Sequence, residues 1–365
     1  MREPSPNQAH SGRRRWTAAG RRRARRLAAM TAVAALPIVA SAAAIAPAWA
    51  GAYSGRVVHS TTVLTNCVPD VGVCGYPDAE TSGVPGTTVL QEVPNQVSSG
   101  PGWFFDPRGF VKVFGNGADL SDLLIPYNVT IAASNVTLQD DLITHGVITG
   151  ASLHGTTAAI PPPDPALDVA ITLRHTSNVT IEDTTISGLE PGTSTLAAGI
   201  KDVYSDSTGL QILSDNIANT STAIQVSMGT ITGSYIHSEI PGASGGKIAG
   251  IESDGGSGSM TIQDNTILVG TSTEYAIGLF TTYGAQANKV ITCNIMAGGN
   301  YVLYGGFNSG GPDSSNIQVT DNRFSRFFYP NGGVHGPAVH WDPLGPGNVW
   351  SGNFWDDTLA TIPAP

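Results

Sequence analysis

Two carboxylates stand two residues apart in the stretch Glu252-Ser253-Asp254. On an extended strand such side chains share a face and lie roughly 6 to 7 Å apart. That separation is close to the one that inverting glycosidases need between their general acid and general base. In a lyase, the same acids would hold a Ca²⁺ ion against a uronate while Lys201 or Arg174 removes its C5 proton. The residue types fit hydrolysis, elimination and a purely solubilising role.

A second group of reactive side chains lies in the stretch VHWDP near the C-terminus. His340 and Asp342 could share a proton or a ligand, while Trp341 could stack on a sugar ring. Alternation along a strand favours the other reading of the tryptophan, in which Trp341 faces inward and closes the end of the fold with Trp350 and Trp355.

These side chains belong to a short apolar strand motif that recurs along the chain. We expect one residue of each copy to face inward: Ile171, Ile200, Ile224, Ile251, Ile277, Leu303 and Val339. The next residue then faces outward: Thr172, Lys201, Gln225, Glu252, Gly278, Tyr304 and His340. Two residues further along the outward face come Arg174, Asp254, Phe280 and Asp342. If the copies stack at about 4.8 Å, the outward residues form one continuous strip. Its candidate catalytic residues are Glu252, Asp254, Lys201, His340 and Asp342, and its candidate binding residues are Arg174, Gln225, Phe280, Tyr304 and Trp341.

An eight-residue cassette, apolar or small at position 1 and apolar at positions 3 and 8, indicates how the strip is supported. Its copies begin at Val136, Val179, Leu210, Gly229, Met260, Lys289, Ile317 and Asn348. A repeat of this length with period-2 alternation inside each unit predicts one coil of a solenoid per repeat. Val, Ile and Thr favour strands over helices. Position 6 is Asn in four copies, and we expect it to take the left-handed conformation at a corner and to stack into an amide ladder.

The cassettes, together with the stretch GYPDAETSGVPGTT, resemble secreted actinobacterial β-helix proteins of the pectin-lyase-like class, over about residues 76–365. This resemblance implies an all-β fold: a single-stranded right-handed parallel β-helix of about eight or more coils. It also implies an extracellular polysaccharide as partner, bound in a groove on one parallel sheet and cleaved by a lyase or a glycoside hydrolase, with Ca²⁺ as a possible cofactor. The same fold also carries inert adhesins and scaffolds, so a non-catalytic surface protein is the alternative.

The chain departs from the patterns of catalytic relatives. Polygalacturonases carry Asp-Asp, Gly-His-Gly and Arg-x-Lys strings in the groove, and the predicted groove has none of them. The pair Asp140-Asp141 falls on a cassette corner instead. Where some related helices carry His-x-Asp-Gly-Ile-Gln, residues 247–252 read KIAGIE. These departures weigh against conventional catalysis.

The ends of the chain divide it into three segments. Residues 1–50 have a basic head, an Ala-rich apolar run and an Ala-Trp-Ala ending, typical of an export signal cleaved after about Ala50. Residues 51–108 are expected to cap the first coil, and residues 109–365 to form the β-helix. Export to an oxidising compartment favours a disulfide between Cys67 and Cys74. Cys293 is left as a wall position.

Charge limits the classes of partner. The first fifty residues hold nine of the 18 basic residues and one of the 28 acids, so the remaining chain carries a formal charge of −18. This charge argues against nucleic acid, anionic membranes and polyanions held by charge alone. No nucleotide-binding motif is present, so no nucleotide cofactor is expected. A neutral or cationic glycan, or an acidic one bridged by a divalent cation, is compatible with the charge. The sequence leaves metal ligands and oligomeric state open.

Overall fold

The structure is a stack of nine coils, each made of three short strands. It is a computed structural model that describes residues 63–145, 168–188, 196–237, 248–270, 274–307 and 313–365. The predicted signal segment lies outside the described residues. One strand from each coil joins each of three sheets, and neighbouring coils pair in parallel throughout. The predicted all-β parallel β-helix is therefore confirmed.

The described part of the chain contains thirty strands in three sheets. Sheet I contains β1 (Gln91–Glu92), β6 (Leu123–Ile125), β9 (Leu142–His145), β12 (Thr185–Gly188), β15 (Asn216–Ala218), β18 (Tyr235–His237), β21 (Thr266–Val269), β24 (Ile295–Gly298), β27 (Arg323–Phe324) and β30 (Phe354–Trp355). Sheet II contains β2 (Ser99–Gly100), β3 (Trp103–Asp106), β4 (Phe110–Val113), β7 (Asn128–Ile131), β10 (Val169–Leu173), β13 (Leu196–Asp202), β16 (Thr220–Gln225), β19 (Ala249–Ser253), β22 (Tyr275–Leu279), β25 (Tyr301–Gly305) and β28 (Gly336–Val339). Sheet III contains β5 (Asp119–Ser121), β8 (Val136–Gln139), β11 (Val179–Glu182), β14 (Gln211–Leu213), β17 (Gly229–Thr232), β20 (Met260–Gln263), β23 (Ala287–Thr292), β26 (Ser315–Thr320) and β29 (Val349–Ser351).

Each coil runs from sheet II through sheet III to sheet I, so coil 1 is β4–β6 and coil 9 is β28–β30. The cassette supplies the strand of sheet III, a sharp corner and the strand of sheet I. The stretch ADLSDLLI, from Ala118, follows the same pattern in coil 1 and is a ninth copy that the sequence search missed. The only helix in the described part of the chain is a 3-10 turn, Val71–Cys74, and none there is long and apolar enough to cross a membrane.

The corner of the cassette differs from the prediction. Position 5, and not position 6, has a positive φ in all nine copies: Asp122, Asp140, Asp183, Ser214, Gly233, Asp264, Cys293, Asp321 and Gly352. Asp and Gly tolerate this left-handed region, which turns the chain by one residue between two strands. The side chain at position 6 therefore points into the coil stack, where it is buried.

A ladder of buried polar side chains runs along position 6. In the C-terminal coils Asn265, Asn294, Asn322 and Asn353 are fully buried. The Oδ1 atom of each of the last three accepts the backbone N–H and an Nδ2–H of the asparagine one coil earlier, at 3.0 to 3.1 Å. Such bonds satisfy backbone donors that a bend would otherwise leave unpaired. The predicted ladder is present, on the residue that faces inward.

Stacked aliphatic side chains fill the interior. Leu138, Ile181, Ile212, Ile231 and Ile262 occupy position 3 of successive coils and are at most 1% exposed. Burying a side chain of this size contributes about 2 kcal/mol. Because the same position repeats in each coil, the stack supports the sheets along the whole axis.

The N-terminal segment runs along the outside of the helix. Cys67 and Cys74 form a disulfide, and the Nη1 group of Arg323, in coil 8, donates to Cys67 Sγ at 2.6 Å and to the Leu64 carbonyl at 2.9 Å. Further along, Gly83 N donates to the Ser214 carbonyl of coil 4, and β1 then pairs with β6 of coil 1. The disulfide loop thus lies against the C-terminal coils, so it is not this part of the segment 51–108 that covers coil 1.

The first coil is covered by the last part of the same segment, which forms β2 and β3. Strands β2, β3 and β4 pair in antiparallel order and extend sheet II beyond coil 1. Trp103, on β3, is 4% exposed and packs into the main core. In sheet II the end of the solenoid is therefore closed by a β-meander, whereas β5 is the edge strand of sheet III.

Candidate functional site

The outward strip of sheet II forms along most of its predicted length. Lys201, Gln225, Glu252, Gly278 and Tyr304 pair in register through five successive coils, from coil 4 to coil 8. Thr172 precedes them in coil 3. At about 4.8 Å per coil the row from Lys201 to Tyr304 is about 19 Å long. An extended polymer lying along the helix axis would run parallel to this row.

The strip ends differently from the prediction in coil 9. Val339 pairs with Tyr304, and Ala338 pairs with the inward Leu303. The predicted inward Val339 was therefore wrong by one residue, and such a slip exchanges the two faces of a strand. His340 lies one residue past the row, at a turn with φ 57°.

A cluster of aromatic rings covers the strip in coils 7 and 8. The Tyr275 ring lies 4.9 Å from that of Phe280 and 5.3 Å from that of Tyr304, between centroids, and Phe280 and Tyr304 are 5.5 Å apart. The rings meet over Gly278, where a Cβ atom would collide with both Tyr275 and Phe280. Because glycine has no Cβ atom, the aromatic rings can pack directly against the sheet at Gly278.

Three more rings extend the cluster toward coil 9. Tyr301 is 5.8 Å from Tyr304 and 5.7 Å from His335, and the His340 ring lies 5.6 Å from Tyr304 at an interplanar angle of 15°. His335 and His340 are exposed and Tyr301 and Tyr304 are half-buried. We call the six residues Tyr275, Phe280, Tyr301, Tyr304, His335 and His340 the aromatic patch.

Tyr275 and Tyr301 were missed by the sequence analysis because the strands of sheet II do not alternate strictly. The pairing skips one residue per coil, as between Ala249↔Tyr275 and Ile251↔Ile277. A Cβ atom on the skipped Gly250 would meet the core methyl of Ile267, so the skipped residue also faces inward. Because the skipped residue and the one after it both face inward, the residue before them faces outward. Tyr275 and Tyr301 occupy this position in coils 7 and 8. The row of small residues Ala170, Gly199, Ala223, Gly250 and Ala276 was the signal in the sequence.

The two candidate acids lie in different environments. Glu252 is 3% exposed and accepts the Tyr275 hydroxyl at 2.7 Å. Burial, and next the charge of Glu252, raises the pKa of Tyr275, so its hydroxyl remains a donor. Asp254 is half-exposed and accepts Gln225 Nε2 at 2.7 Å. Glu252 thus anchors the patch from below, while Asp254 and Gln225 present polar groups beside it.

The other candidates are distributed along the strip or inside the fold. Lys201 is two coils from Glu252, and Arg174 Nη1 donates to Tyr204 at 3.4 Å. Trp341 is 6% exposed and its ring lies 5.5 Å from Trp350, within the core. Asp342 accepts the Leu344 N–H at 3.0 Å.

The structure therefore brings Gln225, Asp254, Phe280, Tyr304 and His340 toward one surface. Lys201 pairs directly with Gln225 at the N-terminal side of this group, and Arg174 lies one coil further away. Trp341 and Asp342 serve the packing and the turn at the C-terminal end. In the described ranges, no group of three or more His, Cys, Asp or Glu is placed to hold a metal ion.

Comparisons with known proteins give no family for the chain. No protein-family model, curated protein or solved structure matches it.

Proposed function

We propose that this protein is a secreted binder of an extracellular polysaccharide, and that the aromatic patch is the binding surface. The observation that carries the proposal is the pair of half-buried rings, Phe280 and Tyr304, that lie over Gly278 on an outward sheet face and pack on the fully buried Tyr275. Aromatic side chains combine an apolar face with polar edges, which matches a sugar ring with apolar C–H faces and peripheral hydroxyls.

The polar neighbours of the patch support the same ligand. Asp254 and Gln225 hydrogen-bond to each other beside the rings, and both side chains can exchange that bond for sugar hydroxyls. The acidic balance of the chain disfavours a polyanion. The preferred ligand is therefore an uncharged glycan. The Cys67–Cys74 disulfide accords with an oxidising, extracellular setting.

Affinity gel electrophoresis with a panel of neutral and acidic plant and microbial polysaccharides tests the proposal. We expect at least one neutral polysaccharide to retard the wild-type chain, and Tyr304→Ala to abolish the retardation. Phe327→Ala is the matched control, because Phe327 is 53% exposed and contacts Phe328, which packs on the outer side of sheet I. Mobility that no polysaccharide changes would refute the proposal.

Cleavage of the same glycan is a second candidate function. It rests on the unequal environments of Glu252 and Asp254, since acid and base pairs are commonly separated in this way. Reducing ends without absorbance at 235 nm would indicate hydrolysis, and Glu252→Gln and Asp254→Asn should each remove them. Reducing ends with 235-nm absorbance from an acidic, uronate-containing polysaccharide of the panel, measured with and without Ca²⁺, would instead indicate a lyase. Binding without new reducing ends would assign the non-catalytic function.

A further inference from the structure

A second pair of stacked rings lies on the same edge of sheet II, in coils 3 and 4. The rings of His175 and Tyr204 are 4.1 Å apart, between centroids, and nearly parallel, at 8°. The His175 side chain is 65% exposed and Tyr204 is 50% exposed. Neither residue belongs to the aromatic patch.

Hydrogen bonds hold this pair in place. Asp206 Oδ2 lies 2.6 Å from His175 Nδ1, while Arg174 Nη1 donates to the Tyr204 hydroxyl. The buried Asp202 accepts the backbone N–H groups of Tyr204 and Ser207 and so fixes the turn that carries Tyr204 and Asp206.

The backbone also contributes to this arrangement. His175 has φ 52°, a left-handed conformation that is uncommon outside glycine, asparagine and aspartate. The hydroxyl of Thr176 donates to that of Ser207 at 2.9 Å and joins the two turns. Two exposed rings are thus presented by turns that are bonded to each other, which reduces the ordering cost of binding.

We propose that His175, Tyr204, Arg174 and Asp206 form a second saccharide subsite, and that the ligand is an extended glycan chain that bridges it to the aromatic patch. The outer ring faces supply stacking, and the guanidinium and carboxylate supply hydrogen bonds to hydroxyls. This inference rests on the proposed function, because it assigns the length of the ligand for the same strip.

The register fixes the length of the bridge. Tyr204 follows the strand of coil 4 and Tyr304 lies in coil 8, four coils or about 19 Å away. Lys201, Gln225 and Asp254 lie between them. A sugar ring in an extended glycan is comparable in length to the coil spacing. Di- and trisaccharides therefore occupy one subsite, whereas chains of six or more residues occupy both.

Occupying two linked subsites raises the affinity beyond that of either one, commonly by a hundredfold or more when the geometry allows both contacts. Removing the Tyr204 ring should therefore weaken the binding of long oligosaccharides by roughly tenfold or more. It should leave the affinity of the aromatic patch for a trisaccharide within about twofold, because the two sites are four coils apart.

Isothermal titration calorimetry with gluco-, xylo-, manno- and chito-oligosaccharides of two to eight residues tests the inference. We compare the wild type, Tyr204→Ala, Tyr204→Phe, Tyr304→Ala and the Phe327→Ala control, each checked for an unchanged melting temperature. We expect affinity to rise steeply above four residues in the wild type and in Tyr204→Phe, which keeps the ring, and the rise to disappear in Tyr204→Ala.

The outcomes separate this inference from the proposed function. If Tyr304→Ala removes binding while Tyr204→Ala binds long chains like the wild type, the second subsite is refuted and the proposed function stands. The same holds if affinity does not depend on chain length. If no oligosaccharide series and no polysaccharide binds, both proposals are refuted.

Discussion

Replacing Asp141 by asparagine should make the protein more stable at neutral and alkaline pH. Asp141 is fully buried at position 6 of coil 2. Its Oδ1 atom accepts the Leu123 N–H at 2.9 Å, whereas Oδ2 has no partner. In coil 6 the same position is Asn265, whose Nδ2 donates to the Ile231 carbonyl one coil earlier. An asparagine at position 141 can make the equivalent bond without carrying a charge.

The magnitude follows from the pKa of Asp141. Burial raises this pKa from 3.8 to about 8. The folded protein therefore keeps a proton between about pH 4 and pH 8 that the unfolded chain loses, and the free energy of unfolding falls as the pH rises through this window. Each pH unit costs about 1.4 kcal/mol, so the total loss above pH 8 is roughly 6 kcal/mol. Below pH 4 the loss disappears.

Urea denaturation of the wild type and Asp141→Asn at unit intervals from pH 4 to pH 9 measures this effect. We expect the free energies of unfolding of the two proteins to differ least at pH 4. The advantage of the variant over the wild type should grow with pH and level off above pH 8. Asp215→Asn should act in the same direction, because burial also raises the pKa of Asp215 well above its usual value. A stability difference that does not change with pH would refute the reasoning.

Three further changes have defined outcomes. Arg323→Met should lower the free energy of unfolding by roughly 3 to 5 kcal/mol in denaturation at pH 7, because it leaves the buried Asp356 carboxylate without its cation, and an unchanged midpoint would contradict this. Gly278→Ala should weaken binding of the glycan selected by the panel, since the added methyl displaces the rings of the aromatic patch, and a wild-type isotherm would show that the stacked arrangement is not required. Burial lowers the pKa of Lys289 to about 8. Between pH 8 and pH 10.5 the unfolded chain keeps the Lys289 proton and the folded protein does not, so the free energy of unfolding of the wild type should rise with pH. Lys289→Met should lack this rise in denaturant titrations.

The repeat could be predicted from the sequence because each cassette carries its own pattern. Buried residues at positions 3 and 8 and a turn residue at the corner are local signals, and local signals survive in a single sequence. The copy at Ala118 was missed although it starts 18 residues before the copy at Val136, a spacing close to the 19 residues between Leu210 and Gly229. The left-handed residue was placed at position 6 because Asn occurs both at left-handed turns and in buried amide ladders. Residue type alone does not distinguish these two roles.

The candidate site could be predicted only where strict alternation holds. Glu252 and Tyr304 were placed on the outward strip correctly, whereas Tyr275 and Tyr301 depend on the skipped inward residue of each coil. His340 was displaced because Ala338 and Val339 are both apolar and either could face inward. The contact of Arg323 with the disulfide loop joins residues more than 250 positions apart, and no local pattern encodes such a contact.

The central claim is that the aromatic patch on sheet II binds an uncharged polysaccharide. The most direct measurement is a calorimetric titration of the wild type, Tyr304→Ala and Phe327→Ala with the neutral polysaccharide that gives the strongest gel retardation. The account predicts equal affinities for the wild type and Phe327→Ala and no measurable binding by a folded Tyr304→Ala. Equal binding by all three proteins would contradict it.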